Sequence, residues 1–330
     1  VNVSRIALDA PGLNLAGRID LSANGQLAAA RFSRVRAGGW LDAPVTLTGR
    51  GAGRAPGITI SGGRVDLRNN AVAGGGGGGG GAQAGGPLTV TLDRLDVTDA
   101  IALTGFRAEF ANSSQLDGLF TGRVNDQAPI RGRIAPMKGA SAVRIQSDNA
   151  GQAIAAAGLL RQARDGVMDL VLTPTGAPGS FDGHLKIVDF RVRDAPAMAA
   201  LINAVSVVGL LEQMNGRGLH FSEVEARFLL TPQQVVLREA SAVGASLGVS
   251  MDGYYDLTRQ QMDFQGVFSP VYLINSVGSL LTRKGEGLFG FTFTLGGTPD
   301  APRVQVNPLS ALAPGMLREI FRRPPPTMTQ

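Results

Sequence analysis

The residue patterns that could carry chemistry come first. Gly244-Ala245-Ser246-Leu247-Gly248 has the Gly-x-Ser-x-Gly spacing of a nucleophile elbow. An elbow works because a strained strand-to-helix turn lifts the serine toward a histidine. Here Val249-Ser250-Met251-Asp252-Gly253 follows and alternates like a strand, so no helix receives the turn, and the segment reads as small residues within a hairpin. Gly285-Glu286-Gly287-Leu288-Phe289-Gly290 has the spacing of a dinucleotide fingerprint. That motif needs a strand before it and a helix after it, so that helix-terminal amides meet the pyrophosphate. This copy has the reverse order and reads as a tight turn into Phe291-Thr292-Phe293. His184 and His220 are the only histidines, each lies in a β-like alternation, and neither has a companion at ligand spacing. With no cysteine in the chain, a zinc site would need distant carboxylates. Asp20, Asp165, Asp182 and Asp256 read as turn residues that bond their own backbone. No catalytic residue, metal site or cofactor emerges, and the chain reads as non-enzymatic.

The elements that hold these residues are mostly strands. Val45-Thr46-Leu47-Thr48, Ile58-Thr59-Ile60-Ser61, Leu88-Thr89-Val90-Thr91-Leu92, Phe291-Thr292-Phe293-Thr294-Leu295 and Val304-Gln305-Val306-Asn307 alternate apolar with polar, the period of a half-buried strand. Asn24-Gly25, Asp117-Gly118, Asp165-Gly166 and Asp182-Gly183 supply turn signals between such runs, which predicts antiparallel hairpins. One hairpin pattern recurs: Gly17 through Leu27 resembles Gly253 through Met262, and Gly158 through Leu170 is a weaker echo. The irregular spacing makes this a repeated hairpin unit within an extended sheet, not a fixed-period solenoid.

Composition bounds the rest. The 330 residues include 46 glycines and 18 prolines, but 44% hydrophobic content means that the chain folds. Only 5% are aromatic, so the core is aliphatic, and charged residues, at 17%, are scarce. The net charge of +5 rests on 28 arginines and three lysines (Lys138, Lys186, Lys284), scattered without aromatic interleaving. That pattern argues against a nucleic-acid face. The lack of cysteine permits an oxidising compartment without proving one. Val1 is preceded by no signal-like segment, so the chain is expected to be part of something longer, with any anchor upstream. The uninterrupted glycines from Gly74 to Gly81, continued to Pro87, form a flexible loop (74–87) between residues 1–73 and 88–330.

Three segments depart from the β pattern. Asp194-Ala195-Pro196 is a helix start, and Met198, Leu201, Ile202, Val205, Val208, Leu211 and Met214 follow at helical spacing, which predicts a helix over about 195–215. It is too short and too often interrupted by polar residues for a membrane span. Further helices are expected at about 270–282 and 314–323, the latter stopped by Pro324-Pro325-Pro326.

The C-terminal third carries a resemblance. Leu201 to Leu211, then Gly218-Leu219-His220-Phe221-Ser222-Glu223-Val224, then Gly253-Tyr254-Tyr255-Asp256-Leu257, then Gly296-Gly297-Thr298-Pro299-Asp300-Ala301-Pro302 through Leu309, resemble the end of AsmA-like envelope proteins. The nearest branch is the YhdP-like one, with TamB more distant, and the likeness covers about Phe181 to Phe321. The resemblance implies a mainly β fold: an elongated, curved antiparallel sheet forming a lengthwise hydrophobic groove, with a few short helices near the C-terminal end. It implies a periplasmic position, an upstream inner-membrane anchor, and phospholipid carried between inner and outer membrane. No catalytic motif travels with the family.

In such a groove, one face of the sheet would meet acyl chains at Val90, Leu92, Val97, Phe106, Phe110, Val224, Phe228, Leu247, Val249, Met251, Phe264, Phe291, Phe293 and Leu295, while Thr292 and Thr294 would face away. The helix of Met198, Leu201, Ile202, Val205, Val208 and Leu211 would lie against or plug the groove. The last helix, with Met316, Leu317, Ile320 and Phe321 beside Arg322 and Arg323, would dock on a membrane surface or cap the final strand edge. The competing reading is an envelope scaffold whose β core closes on itself and conducts nothing.

Overall fold

The computed structural model describes residues 2–68, 85–113, 116–137, 140–177, 179–204, 216–270, 284, 290–299 and 301–312, with side chains from Ile6 onward. Nineteen strands grouped in one sheet, with neighbours almost all antiparallel, make the protein mainly β. The chain divides into two compact units, residues 1–146 with 176–178, and the remainder.

Unit 1 is a meander. Strands β1 (Asn2–Ala10), β2 (Leu13–Leu21), β3 (Leu27–Ala37) and β4 (Leu41–Thr48) pair in sequence order. Next, β5 (Gly57–Ser61) and β6 (Arg64–Asp66) both pair with β4, as one strand broken at Gly62-Gly63. A Cβ at Gly63 would lie 2.3 Å from the Asp42 carbonyl oxygen, so only glycine fits there. Both pieces run parallel to β7 (Leu88–Asp96). A parallel pair requires the chain to return the length of the strand, ~30 Å for nine residues, before it can pair. In sequence the glycine-rich segment falls between β6 and β7, and the two compact units divide near Gln146. The meander then continues through β8 (Ala102–Phe110), β9 (Gly118–Val124), β10 (Ala128–Met137) and β11 (Ala140–Ser147). Asn125 and Asp126, both at positive φ, make the β9–β10 turn.

Unit 2 begins with α1 (Ala150–Ala156), capped where the Gln152 N–H donates to Asn149 Oδ1 at 2.9 Å. Strands β12 (Ala163–Pro174) and β13 (Phe181–Val192) follow, then α2 (Pro196–Ala204), then β14 (Leu219–Leu230), β15 (Gln234–Val243), β16 (Leu247–Asp256), β17 (Gln261–Pro270), β18 (Phe291–Gly297) and β19 (Pro302–Asn307). Each strand is antiparallel to the next, and a 3-10 turn, Pro308–Leu312, ends the described chain. The two rims of this unit differ. Short connections (175–180, 231–233, 257–260 and 298–301) close one rim, while α1, α2, residues 271–290 and the 3-10 turn all leave from the other.

Several expectations change. Asp165-Gly166 is no hairpin turn: both residues, at positive φ, lie inside β12, whose register with β13 continues unshifted past them. The echo at Gly158–Leu170 is therefore a helix end running into a strand. Asp182-Gly183 lies within β13. Asp20 and Asp182 are strand residues bonded to Arg31 (2.6 Å) and Arg238 (2.9 Å). The expected helix 195–215 is observed as Pro196–Ala204, and its remainder, with Val205, Val208 and Leu211, lies outside the described residues. Pro270 ends a strand rather than starting a helix, and the rest of that segment is outside the described residues. So is the terminal helix with Met316, Leu317, Ile320, Phe321, Arg322 and Arg323.

Candidate functional site

In each unit the register sorts side chains onto two faces. In unit 1, Leu41, Val65 and Leu95 align across β4, β6 and β7, and Val45, Ile60 and Val90 align one step away. Leu92 opposes Phe106, Ala108 opposes Val90 and Phe120, and Phe110 opposes Leu88, which carries the apolar face onto β8 and β9. The Phe106 and Phe120 rings stack at 5.8 Å between centroids. Val90, Leu92, Phe106, Phe110 and Phe120 are all buried. Val97 is not part of this face: it follows β7 in the turn to β8 and is exposed.

In unit 2 the remaining expected residues do share one face. Val224, Ala242, Val249, Phe268 and Phe291 form one row across β14–β18, and Phe228, Leu237, Gly253, Phe264 and Leu295 form another. Met251, Gly266 and Phe293 lie between them, and Leu247 opposes Pro270 at the rim that carries the helices. Exposure is graded along these strands. Leu247, Phe268 and Phe293 are buried, whereas Val224, Phe228, Val249, Met251, Phe264, Phe291 and Leu295 are half-buried.

The reverse face of β15–β18 is the unexpected part. Ser241, Ser250, Val267 and Thr292 align across four strands, and all are buried. Asp252 and Gln265 face each other, equally buried, with Gln265 Nε2 donating to Asp252 Oδ2 at 2.9 Å. The Thr292 N–H donates to Ser310 Oγ at 2.8 Å, which ties the 3-10 turn to β18. Thr292 is thus no solvent-facing position, and Thr294 is half-buried.

The sequence reading missed one recurring device. Gly17/Phe32, Gly118/Phe110, Gly132/Phe120, Gly183/Phe228, Gly253/Phe264 and Gly266/Phe293 are directly opposed cross-strand pairs. At each, a Cβ on the glycine would lie 2.2 to 2.9 Å from an atom of the opposing phenyl ring. Each ring therefore lies over its neighbour's bare backbone, covering a glycine that would otherwise weaken the strand. The repeated Gly17 and Gly253 hairpins are two instances. A glycine in an alternating run with a phenylalanine across the next turn was the available signal.

Charge is confined to the polar faces. Arg34 grips Asp42 through two bonds of 2.7 Å, and Arg64 and Arg94 both bond the buried Asp96. Burial alone would raise the Asp96 pKa, but those two hydrogen bonds hold it below the usual carboxylate range. The Arg68 guanidinium lowers Asp66 to about 2. In unit 2, Lys186 and Lys284 both bond Glu223 (2.5 and 2.6 Å) and Glu225 (3.4 and 2.8 Å), and Glu223 is lowered to about 2, first by Lys186 and then by Lys284.

The other chemical candidates stay apart. Ser246 lies in the turn between β15 and β16, followed by a strand. His220 Nε2 lies 3.5 Å from the exposed Asp189. Among the described residues no three of His, Asp and Glu cluster as metal ligands, and no helix is long and apolar enough to cross a membrane. The chain matches none of the protein-family models, curated proteins or solved structures compared with it.

Proposed function

We propose that the protein is a non-enzymatic, bridge-like lipid carrier of the AsmA-like kind. Its apolar sheet face would hold phospholipid acyl chains and pass them between inner and outer membrane. In this reading it is the periplasmic portion of a longer protein anchored upstream in the inner membrane.

One observation carries the reading. Toward the helical rim of β15–β18 the reverse-face residues Ser241, Ser250, Asp252, Gln265, Val267 and Thr292 are buried, while Val249, Met251, Phe264 and Leu295 on the apolar face stay half open. A sheet that only needed a core would cover its apolar face first. Each methylene taken from water contributes ~0.8 kcal/mol, so a chain laid across three or four strands would be retained without any polar contact. The glycine-phenylalanine pairs leave a surface of flat rings without a specific pocket, which suits a ligand that slides.

Curvature of the sheet has its own support. α2 begins four residues after β13 yet packs against β19, six strands away. In a flat sheet six strand spacings are ~29 Å. Four extended residues and nine helical ones reach ~27 Å only when drawn out straight. A sheet that curls toward the helical rim removes the difficulty, and puts the buried Leu201 and Ile202 of α2 at the end of a groove.

The scaffold reading keeps one observation in its favour: the apolar face of β7–β9 is already buried. Organic extraction of the purified chain, followed by mass spectrometry, separates the two. Co-purifying phospholipid supports the carrier, and a lipid-free chain that takes up none from vesicles supports the scaffold.

A further inference from the structure

The polar face of unit 1 holds a cavity of about 760 Å³ at the rim where β3, β4, β6 and β7 end or begin. Arg36, Asp42, Arg64 and Arg94 stand in one row across those four strands, on the face opposite Leu41, Val65 and Leu95. Arg64 and Arg94 are direct neighbours, an arrangement of like charges that costs stability unless something negative lies between them. The buried Asp96 answers part of that charge. Four half-exposed arginines, these three and Arg34, line the cavity. Asp42 is already taken by Arg34, so Arg36 reaches it only at 3.4 Å and keeps most of its donors for another acceptor.

Two more groups line the same cavity. Asp93 accepts the Gly63 N–H at 2.8 Å and forms no ion pair among the described residues. Trp40, the single tryptophan of the chain, presents a half-buried indole. Guanidinium forks match phosphate oxygens, while a carboxylate matches an ammonium.

We propose that this cavity binds a small zwitterion bearing a phosphate and an amine, of the phosphoethanolamine type. The arginine row takes the phosphate, and Asp93, beside Arg94 and Gly63, takes the ammonium. The site lies on the face away from the apolar rows and does not depend on the lipid-carrier reading. Its ligand could be a lipid headgroup or a free phosphate ester.

Trp40 is the built-in reporter. Emission of the full chain is titrated with O-phosphoethanolamine, inorganic phosphate, and vesicles of phosphatidylethanolamine or of phosphatidylglycerol. A saturable change with phosphoethanolamine, weaker with phosphate, is expected. Arg36→Gln should weaken both about tenfold, the loss of one charge-assisted contact. Asp93→Asn should abolish the preference for phosphoethanolamine over phosphate, with circular dichroism unchanged in both variants. A larger response to phosphatidylethanolamine vesicles than to the free ester assigns the headgroup source, and a response to the free ester alone assigns the soluble one. No saturable change at millimolar ligand, an Arg36→Gln titration identical to the parent's, or equal affinity for phosphate and phosphoethanolamine overturns the proposal.

Discussion

The reverse faces of the two units handle the same problem in opposite ways. In unit 1 the side of the sheet away from the apolar rows is an open ladder of Arg–Asp pairs: Arg31 with Asp20, Arg34 with Asp42, and Arg64 and Arg94 with Asp96. In unit 2, toward the helical rim of β15–β18, that side is Ser241, Ser250, Val267 and Thr292, uncharged and buried, beside the bonded Asp252–Gln265 pair, and only farther along β15 do Arg238 and Glu239 become exposed. The apolar faces invert to match, closed at β7–β9 and half open at β14–β18. Alternation therefore tells which residues share a face, but not which face meets water. That is decided by the elements laid over the sheet, and in unit 2 the helical connections and the 3-10 turn all leave from one rim.

The sharpest way to break this contrast is a charge on each reverse face. Thr292→Asp would place a carboxylate in a buried site and should cost several kcal/mol, ~3 or more. Thr121→Asp, on the exposed reverse face of β9, should stay within ~0.5 kcal/mol. Chemical denaturation measures both, and equal costs would erase the distinction. Next in size is Ile202→Ala in α2: a fully buried side chain there should cost ~2–4 kcal/mol. A value near zero would remove the helix from the packed end of unit 2.

Gly183→Val should follow, because a Cβ there lies 2.2 Å from the Phe228 ring. Overpacking of this kind costs ~1–3 kcal/mol. Adding Phe228→Ala should return part of the loss, and full additivity would mean that ring and glycine do not act as a pair. Gly132→Val against Phe120 makes the same test in unit 1.

The smallest effect is acid sensitivity. Glu223 and Asp66 are lowered to about 2 from 4.5 and 3.8, so each contributes stability that is present above its unfolded value. That contribution is lost as pH falls through the folded value, between about pH 4.5 and 2 for Glu223. Replacing Lys186 and Lys284 together with Met should flatten this decline and also remove its salt dependence. An unchanged acid profile would show that the cluster is too exposed to matter.

Much of the strand content was legible in the sequence because period-two alternation is local: β4, β5, β7, β18 and β19 lie where it placed them. The start of α2 was legible from its proline. What could not be read depends on partners distant in sequence. Asp165-Gly166 and Asp182-Gly183 look like turns, yet one is a positive-φ irregularity inside β12 and the other is covered by Phe228 from the neighbouring strand. The parallel pairing of β5 and β6 with β7 has no local signature beyond the long glycine return. For the site, the apolar row of unit 2 followed from alternation, but Val97 was misassigned because β7 ends one residue earlier. The burial of Thr292 was hidden, since the 3-10 turn that bonds its backbone through Ser310 comes eighteen residues later.

The central claim is that the half-open apolar face of unit 2 meets acyl chains. Photo-crosslinking amino acids at Met251, Phe264 and Leu295, with the exposed polar-face residues Arg227 and Arg238 as controls, test it in the chain purified from cells or incubated with phospholipid vesicles. Lipid adducts at the first three positions and none at the controls are predicted. Equal labelling of both sets, or no lipid adduct at any position while protein adducts form, would contradict it.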